Sequence, residues 1–195
     1  MQDENFSPHE SLKLIQSMID KTRQNISVKS HHFLVWGWIT FVCCVGQFIL
    51  KHIVHYEKHY QVWLLVFVGA AFSIYVGIKE SKSTRVHTYV GESMKHLWTG
   101  MGITYVITSV VLTKIGWDSN VFPFFIILYG LGTFISGSIL KFHPLIIGGI
   151  IAWALAILAV YLPYDYQMLA AAAAILFSYI IPAYILQNRR NPTTA

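Results

Sequence analysis

Charge is scarce in this sequence: Asp, Glu, Lys and Arg make up 12% of its 195 residues, about half the share of an ordinary soluble domain. The chain is also 55% hydrophobic, with a mean hydropathy of +0.53, which is more apolar surface than a globule of this size can bury. Cysteine is almost missing, and the two present, Cys43 and Cys44, are neighbours in one apolar run. That placement excludes a disulfide scaffold and leaves them as small packing residues. Glycine follows no triplet period, which excludes a collagen-like chain, and the hydropathy excludes a disordered one. No catalytic signature is present, so the sequence argues against an enzyme. The formal net charge of +5 has little solvated surface to sit on, so nucleic acid is not an expected partner and the charge reads as a topology signal.

What the sequence has instead is long apolar runs. A membrane helix needs about 20 mostly apolar residues, because lipid offers backbone N–H and C=O groups no partner. Six stretches qualify: Phe33 to Val54, Gln61 to Ile78, Leu97 to Ile115, Val121 to Leu140, Pro144 to Leu162 and Met168 to Leu186. They are apolar at both odd and even positions, which excludes the alternation of a membrane β-barrel. The expected fold is an all-α polytopic bundle of six transmembrane helices arranged as three hairpins, with the lipid bilayer as its first partner. Residues 1–30 read as a cytoplasmic amphipathic helix and linker, 31–190 as the membrane domain and 191–195 as a disordered tail.

Orientation follows from the cations, which stay on the cytoplasmic side. Lys13, Lys21, Arg23 and Lys29 precede the first span; Lys79, Lys82, Arg85 and Lys95 lie between the second and third; Lys141 lies between the fourth and fifth; Arg189 and Arg190 follow the last. Only Lys51, Lys58 and Lys114 fall on the other side. Both termini are therefore expected in the cytoplasm, with the chain in the cell (inner) membrane. The polar residues before the first span lack a cleavage pattern and do not read as a signal peptide. Trp36, Trp38, Trp63, Trp98, Trp117 and Tyr164 lie near span ends, as interfacial aromatics do, whereas Trp153 lies in mid-span.

Ser7, Pro8 and Glu10 form a capping box with proline at the first helical position. Beyond it Leu12, Leu14, Ile15, Met18, Ile19 and Ile26 share one helical face. Residues 8–25 thus read as an amphipathic helix that lies on the membrane, packs on its own bundle, or docks a cytoplasmic protein partner.

His32, His96 and His143 each precede an outward span, and an offset of 64 aligns Ile39, Thr40, Phe41 and Val42 with Ile103, Thr104, Tyr105 and Val106. This pattern suggests a parallel hairpin repeat. Small residues recur every four positions at Gly132 and Ser136, at Gly148, Ala152 and Ala156, and at Ala170, Ala174 and Ser178, as in closely approaching membrane helices. One such row also suits a homo-oligomer. The junction from Tyr129 to Pro163, with Gly130, Gly132, Gly137, Lys141, His143, Pro144, Gly148 and Gly149, resembles the hairpin unit of the HdeD-type acid-resistance membrane proteins. The chain as a whole is similar to small uncharacterised six-span integral membrane proteins of Bacteroidota that begin with an amphipathic helix. Neither resemblance implies a catalytic residue.

Three constellations carry candidate chemistry. His52, His55 and His59 would share one face if the first helix continued past the membrane surface, where three imidazoles suit a Zn or Cu ion or a proton sensor. His31, His32, His87, His96 and His143, with Glu80 and Glu92, gather near the cytoplasmic side, where facing histidines ligate haem in other bundles. The span cores hold no Asp, Glu, Lys or Arg, which disfavours ion-coupled transport. Gln47, Thr40, Thr104, Thr108, Ser109, Ser73, Thr133, Tyr75, Tyr105 and Tyr129 remain, either as interhelical hydrogen bonds or as the lining of a channel or facilitator for a small solute. Pro182 removes a donor from the last span and is expected to kink it.

Overall fold

A computed structural model of the chain describes residues 34–83, 89–115 and 121–188. The amphipathic segment 8–25, His31, His32, His87, Trp117, Arg189, Arg190 and the tail 191–195 lie outside the described residues. Among the described residues every regular element is helical. These elements are α1 (Leu34–His52), a 3-10 turn (His59–Trp63), α2 (Leu64–Ser83), α3 (Tyr89–Ile115), α4 (Val121–Leu140) and α5 (His143–Val160). Then come α6 (Tyr164–Ile175), a π turn (Leu176–Ile180) and α7 (Ile181–Asn188).

Five helical stretches are long and apolar enough to cross a membrane: Leu34–His52, His59–Ile78, Val121–Leu140, His143–Val160 and Tyr164–Gln187, the last running through the π turn. α3 has the length, at 27 residues, but threonines, serine and Lys114 dilute its apolar character. Large apolar side chains cover the outside of the bundle, with Phe67 73% and Ile115 76% exposed, as suits a multi-pass membrane protein and not a soluble one.

Glycine and alanine hold the centre together. A Cβ at Gly149 would fall 2.8 Å from the carbonyl oxygen of Gly130, and one at Gly137 would fall 2.7 Å from the backbone nitrogen of Ile146, so α4 and α5 touch backbone to backbone. Close approach of this kind replaces the hydrophobic drive that lipid removes. Trp153 earns its mid-span position here: its ring covers Gly130, and its Nε1 donates to the Ile127 carbonyl at 3.2 Å. Ala152, Ala156 and Ala159 of α5 pack with Met168, Ala170, Ala171 and Ala174 of α6 in one buried cluster.

Pro182 is accommodated by widening the helix. Pro182 cannot donate to a carbonyl one turn back, and the Ile181 N–H reaches five residues to Leu176. Against this π turn the α5 backbone comes in at Gly148, where a Cβ would fall 2.8 Å from Ser178 Cα. Between α4 and α5 the chain turns at Lys141, whose φ of 51° is left-handed, and the Phe142 N–H closes on the Gly137 carbonyl at 2.8 Å. Pro144 opens α5 in the first turn, where its missing N–H costs nothing.

Candidate functional site

The polar residues of α1 recur with the helical period: Trp36, Thr40, Cys43, Gln47 and Lys51. Each binds a different part of the bundle. Trp36 Nε1 donates to Ser73 Oγ of α2 at 3.0 Å, and Thr40 Oγ1 meets Tyr129 Oη of α4 at 2.8 Å. Cys43 Sγ donates to the Val62 carbonyl at 3.4 Å. Trp63 Nε1 donates to Gln47 Oε1 at 2.6 Å, while Gln47 Nε2 lies 3.2 Å from His59 Nδ1. Lys51 pairs with Asp165 of α6 and sits 4.7 Å above the Tyr164 ring, and on the adjacent face Trp38 Nε1 donates to Tyr184 Oη of α7 at 3.3 Å. α1 is thus a polar seam, in contrast to the apolar contact of α4 with α5.

The seam leads into a cluster of hydroxyls at mid-depth. Thr40 donates to the Trp36 carbonyl at 2.9 Å, so the proton between Thr40 and Tyr129 comes from Tyr129. The Tyr129 ring lies 5.3 Å from that of Tyr105 in α3 and 5.4 Å from that of Tyr179 in the π turn. Thr133 donates to the Tyr129 carbonyl at 2.7 Å and faces Tyr179. Among the described residues, the buried hydroxyls of Tyr105, Ser136 and Ser178 have no hydrogen-bond partner.

At the His52 end of the bundle the three histidines part company. α1 stops at His52, and the chain reverses at His55, whose φ is 52°. The continuation that would align His52, His55 and His59 on one face therefore does not form. His52 Nε2 turns to Asp165 Oδ2 at 3.1 Å. The Trp63 N–H can only donate, which fixes the Gln47 amide with its NH2 group toward His59. His59 Nδ1 is then an acceptor and its proton sits on Nε2, so neither nitrogen offers a metal a free lone pair. Among the described residues no group of three or more His, Cys, Asp or Glu side chains could hold a metal ion. His96 and His143 lie near the opposite end, exposed on α3 and at the start of α5.

Several polar groups in the spans turn inward on their own helix. Thr104, Ser109 and Ser138 each donate to the carbonyl four residues back, at 2.9, 2.8 and 2.9 Å, and so bind no neighbouring helix through that bond. Sequence reasoning did not find Asp165 or Tyr179. The signal for Asp165 is weak, a single acidic residue in the first turn of α6, and its partner Lys51 is 114 residues away.

Comparison with protein-family models, curated proteins and solved structures finds no match for this chain.

Proposed function

We propose that this is a six-span protein of the inner membrane without enzymatic chemistry, a structural, stress-related or regulatory component whose termini both face the cytoplasm. α3 is its sixth span, and residues 8–25 dock a cytoplasmic protein partner. The observation that carries the reading is the polar seam: α1, the helix that directly follows the N-terminal segment, is bonded by side chains to α2, α4, α6, α7 and the His59–Trp63 turn. A force or contact at its Leu34 end is therefore felt by elements throughout the bundle. Membrane hydrogen bonds contribute only about 0.6 kcal/mol each on average, which suits adjustment better than anchoring.

The test compares proteins that co-purify with the full chain and with a chain lacking residues 1–30. Loss of a specific partner on deletion supports the reading. An unchanged set of companions contradicts it.

A further inference from the structure

Two histidines at the His52 end of the bundle face partners of opposite character. His52 Nε2 lies 3.1 Å from Asp165 Oδ2, a charged acceptor on α6. His59 Nδ1 lies 3.2 Å from Gln47 Nε2, a donor on α1. The Trp63 N–H, 2.6 Å from Gln47 Oε1, holds that amide as it is, since turning it over would set its NH2 group against the indole N–H. Trp63 is itself fixed, its ring centre 6.3 Å from that of Phe122 at the edge of the main buried cluster. The joint matters because the second span is thinly attached: 6% of His59–Ile78 is buried in the bundle, against 28% of α1 and 56% of the last span.

A proton therefore has opposite effects on the two rings. Imidazole takes one up near pH 6.5 in water. On His52 it makes the bond to Asp165 charge-assisted and so strengthens the tie of α1 to α6. On His59 it occupies the nitrogen that accepts from Gln47, so two N–H groups meet and that bond is lost. Gln47 is buried and its amide cannot turn, so the bond is not remade while His59 is charged. The half-buried His59 ring has solvent to turn to, because His55, Glu57 and Lys58 beside it are exposed. Lys51 and Asp165, paired with each other, act on His59 with opposite sign. The Tyr60 ring stands edge-on to His59 at 6.1 Å, and the Phe48 ring lies 4.9 Å from His52. The near ends of α2 and α4 bring no charge.

We propose that the Gln47–His59 contact is an acid-released joint between α1 and the second span, and that the His52–Asp165 pair holds α1 on α6 while the joint opens. Acidification at the His52 end shifts the grip of α1 from one neighbour to the other. The Trp63–Gln47 bond and the Trp63–Phe122 packing persist, so the first turn of the second span keeps its place. The partner-docking reading above plays no part in this inference, and either can fail alone.

The test is thermal unfolding of the full chain in one uncharged detergent at about pH 7.5 and about pH 5, on either side of the imidazole range. His59→Gln keeps an acceptor for Gln47 but has no titratable nitrogen. On acidification the wild-type chain is expected to lose about 2–4 °C more in melting temperature than this variant, the worth of one hydrogen bond in a chain of this size. Gln47→Glu is expected to reverse the effect, because a carboxylate accepts from both Trp63 and the protonated His59 ring. Equal acid responses of wild type and His59→Gln overturn the proposal, and so does an acid loss in Gln47→Glu as large as in wild type. Nitrogen-15 NMR of the wild-type chain in nanodiscs, with His59 identified by its contact with the Gln47 amide, carries the test if a variant does not fold. It is expected to show the proton on Nε2 at the higher pH and both nitrogens protonated, with the Gln47 contact gone, at the lower. A proton on Nδ1 at the higher pH, or a contact that survives at the lower, overturns the proposal.

Discussion

Single residues divide into those that permit contact and those that make it. Gly149 permits contact: a Cβ there meets the Gly130 carbonyl at 2.8 Å and the Phe134 nitrogen at 2.9 Å, and backbone cannot step aside. Gly149→Ala is therefore expected to lower stability by about 1–3 kcal/mol. Gly102, by contrast, has nothing within 4 Å of its Cβ position, so Gly102→Ala is expected to be neutral or to gain up to about 1 kcal/mol in helix propensity. Thermal unfolding of both variants in the same detergent checks the pair, and equal losses would show that the α4–α5 contact is not as close as described. The tyrosines give a second contrast. Tyr129→Phe removes a bond to Thr40 and should cost about 1 kcal/mol, whereas Tyr105→Phe removes a hydroxyl without a partner and should leave the protein as stable or slightly more so. The same unfolding measurement reads this contrast, and a larger loss for Tyr105→Phe would reveal a partner at that hydroxyl.

At the level of elements, the turn between α4 and α5 carries a residue that its backbone disfavours. Lys141 adopts a left-handed φ of 51°, where glycine pays no steric penalty. Lys141→Gly is expected to raise stability by about 0.5–1 kcal/mol, measured by thermal or denaturant unfolding, and a loss of stability would mean that the lysine side chain contributes more than its backbone costs. The small-residue faces of α5 and α6 were legible in the sequence, because Gly148, Ala152, Ala156, Ala170 and Ala174 recur at the spacing of one helical face, but which helix meets which was not, and α3 and α6 begin at Tyr89 and Tyr164, ahead of the apolar runs that start at Leu97 and Met168. The π turn was only half legible. Pro182 announces a disturbed helix, but the sequence does not say whether it emerges as a bend or as one extra residue in the turn; the structure has the latter, packed closely against Gly148 of α5.

The aligned pairs from the first and third spans show where sequence likeness stops. Thr40 and its counterpart Thr104 both donate to the carbonyl four residues back, at Trp36 and Gly100, but Thr40 in addition accepts from Tyr129 across an interface. Hydropathy patterns cannot separate these uses, since both side chains satisfy a polar group inside an apolar helix. The histidine triad was legible as a spacing but depended on a helix that ends at His52, ahead of the reversal at His55, and His52 turns instead to Asp165, far along the chain. Gly130, Gly137, Gly148 and Gly149 sit at close helix approaches, a packing role compatible with many functions.

Taken whole, the molecule is a core of α4, α5 and α6 locked by small residues, with α1 fastened to it by hydrogen bonds and α2 and α3 presenting broad apolar faces outward. That description needs a bilayer around it, and it turns on α3. If α3 crosses the membrane the chain has six spans and its termini share a side, and if α3 does not cross, the five remaining spans place them on opposite sides. Protease protection of epitope tags at the two ends, in sealed inverted vesicles and in right-side-out ones, decides between these directly. The account predicts that both tags are digested in inverted vesicles and both survive in the opposite orientation, and digestion of one tag in each preparation would contradict it.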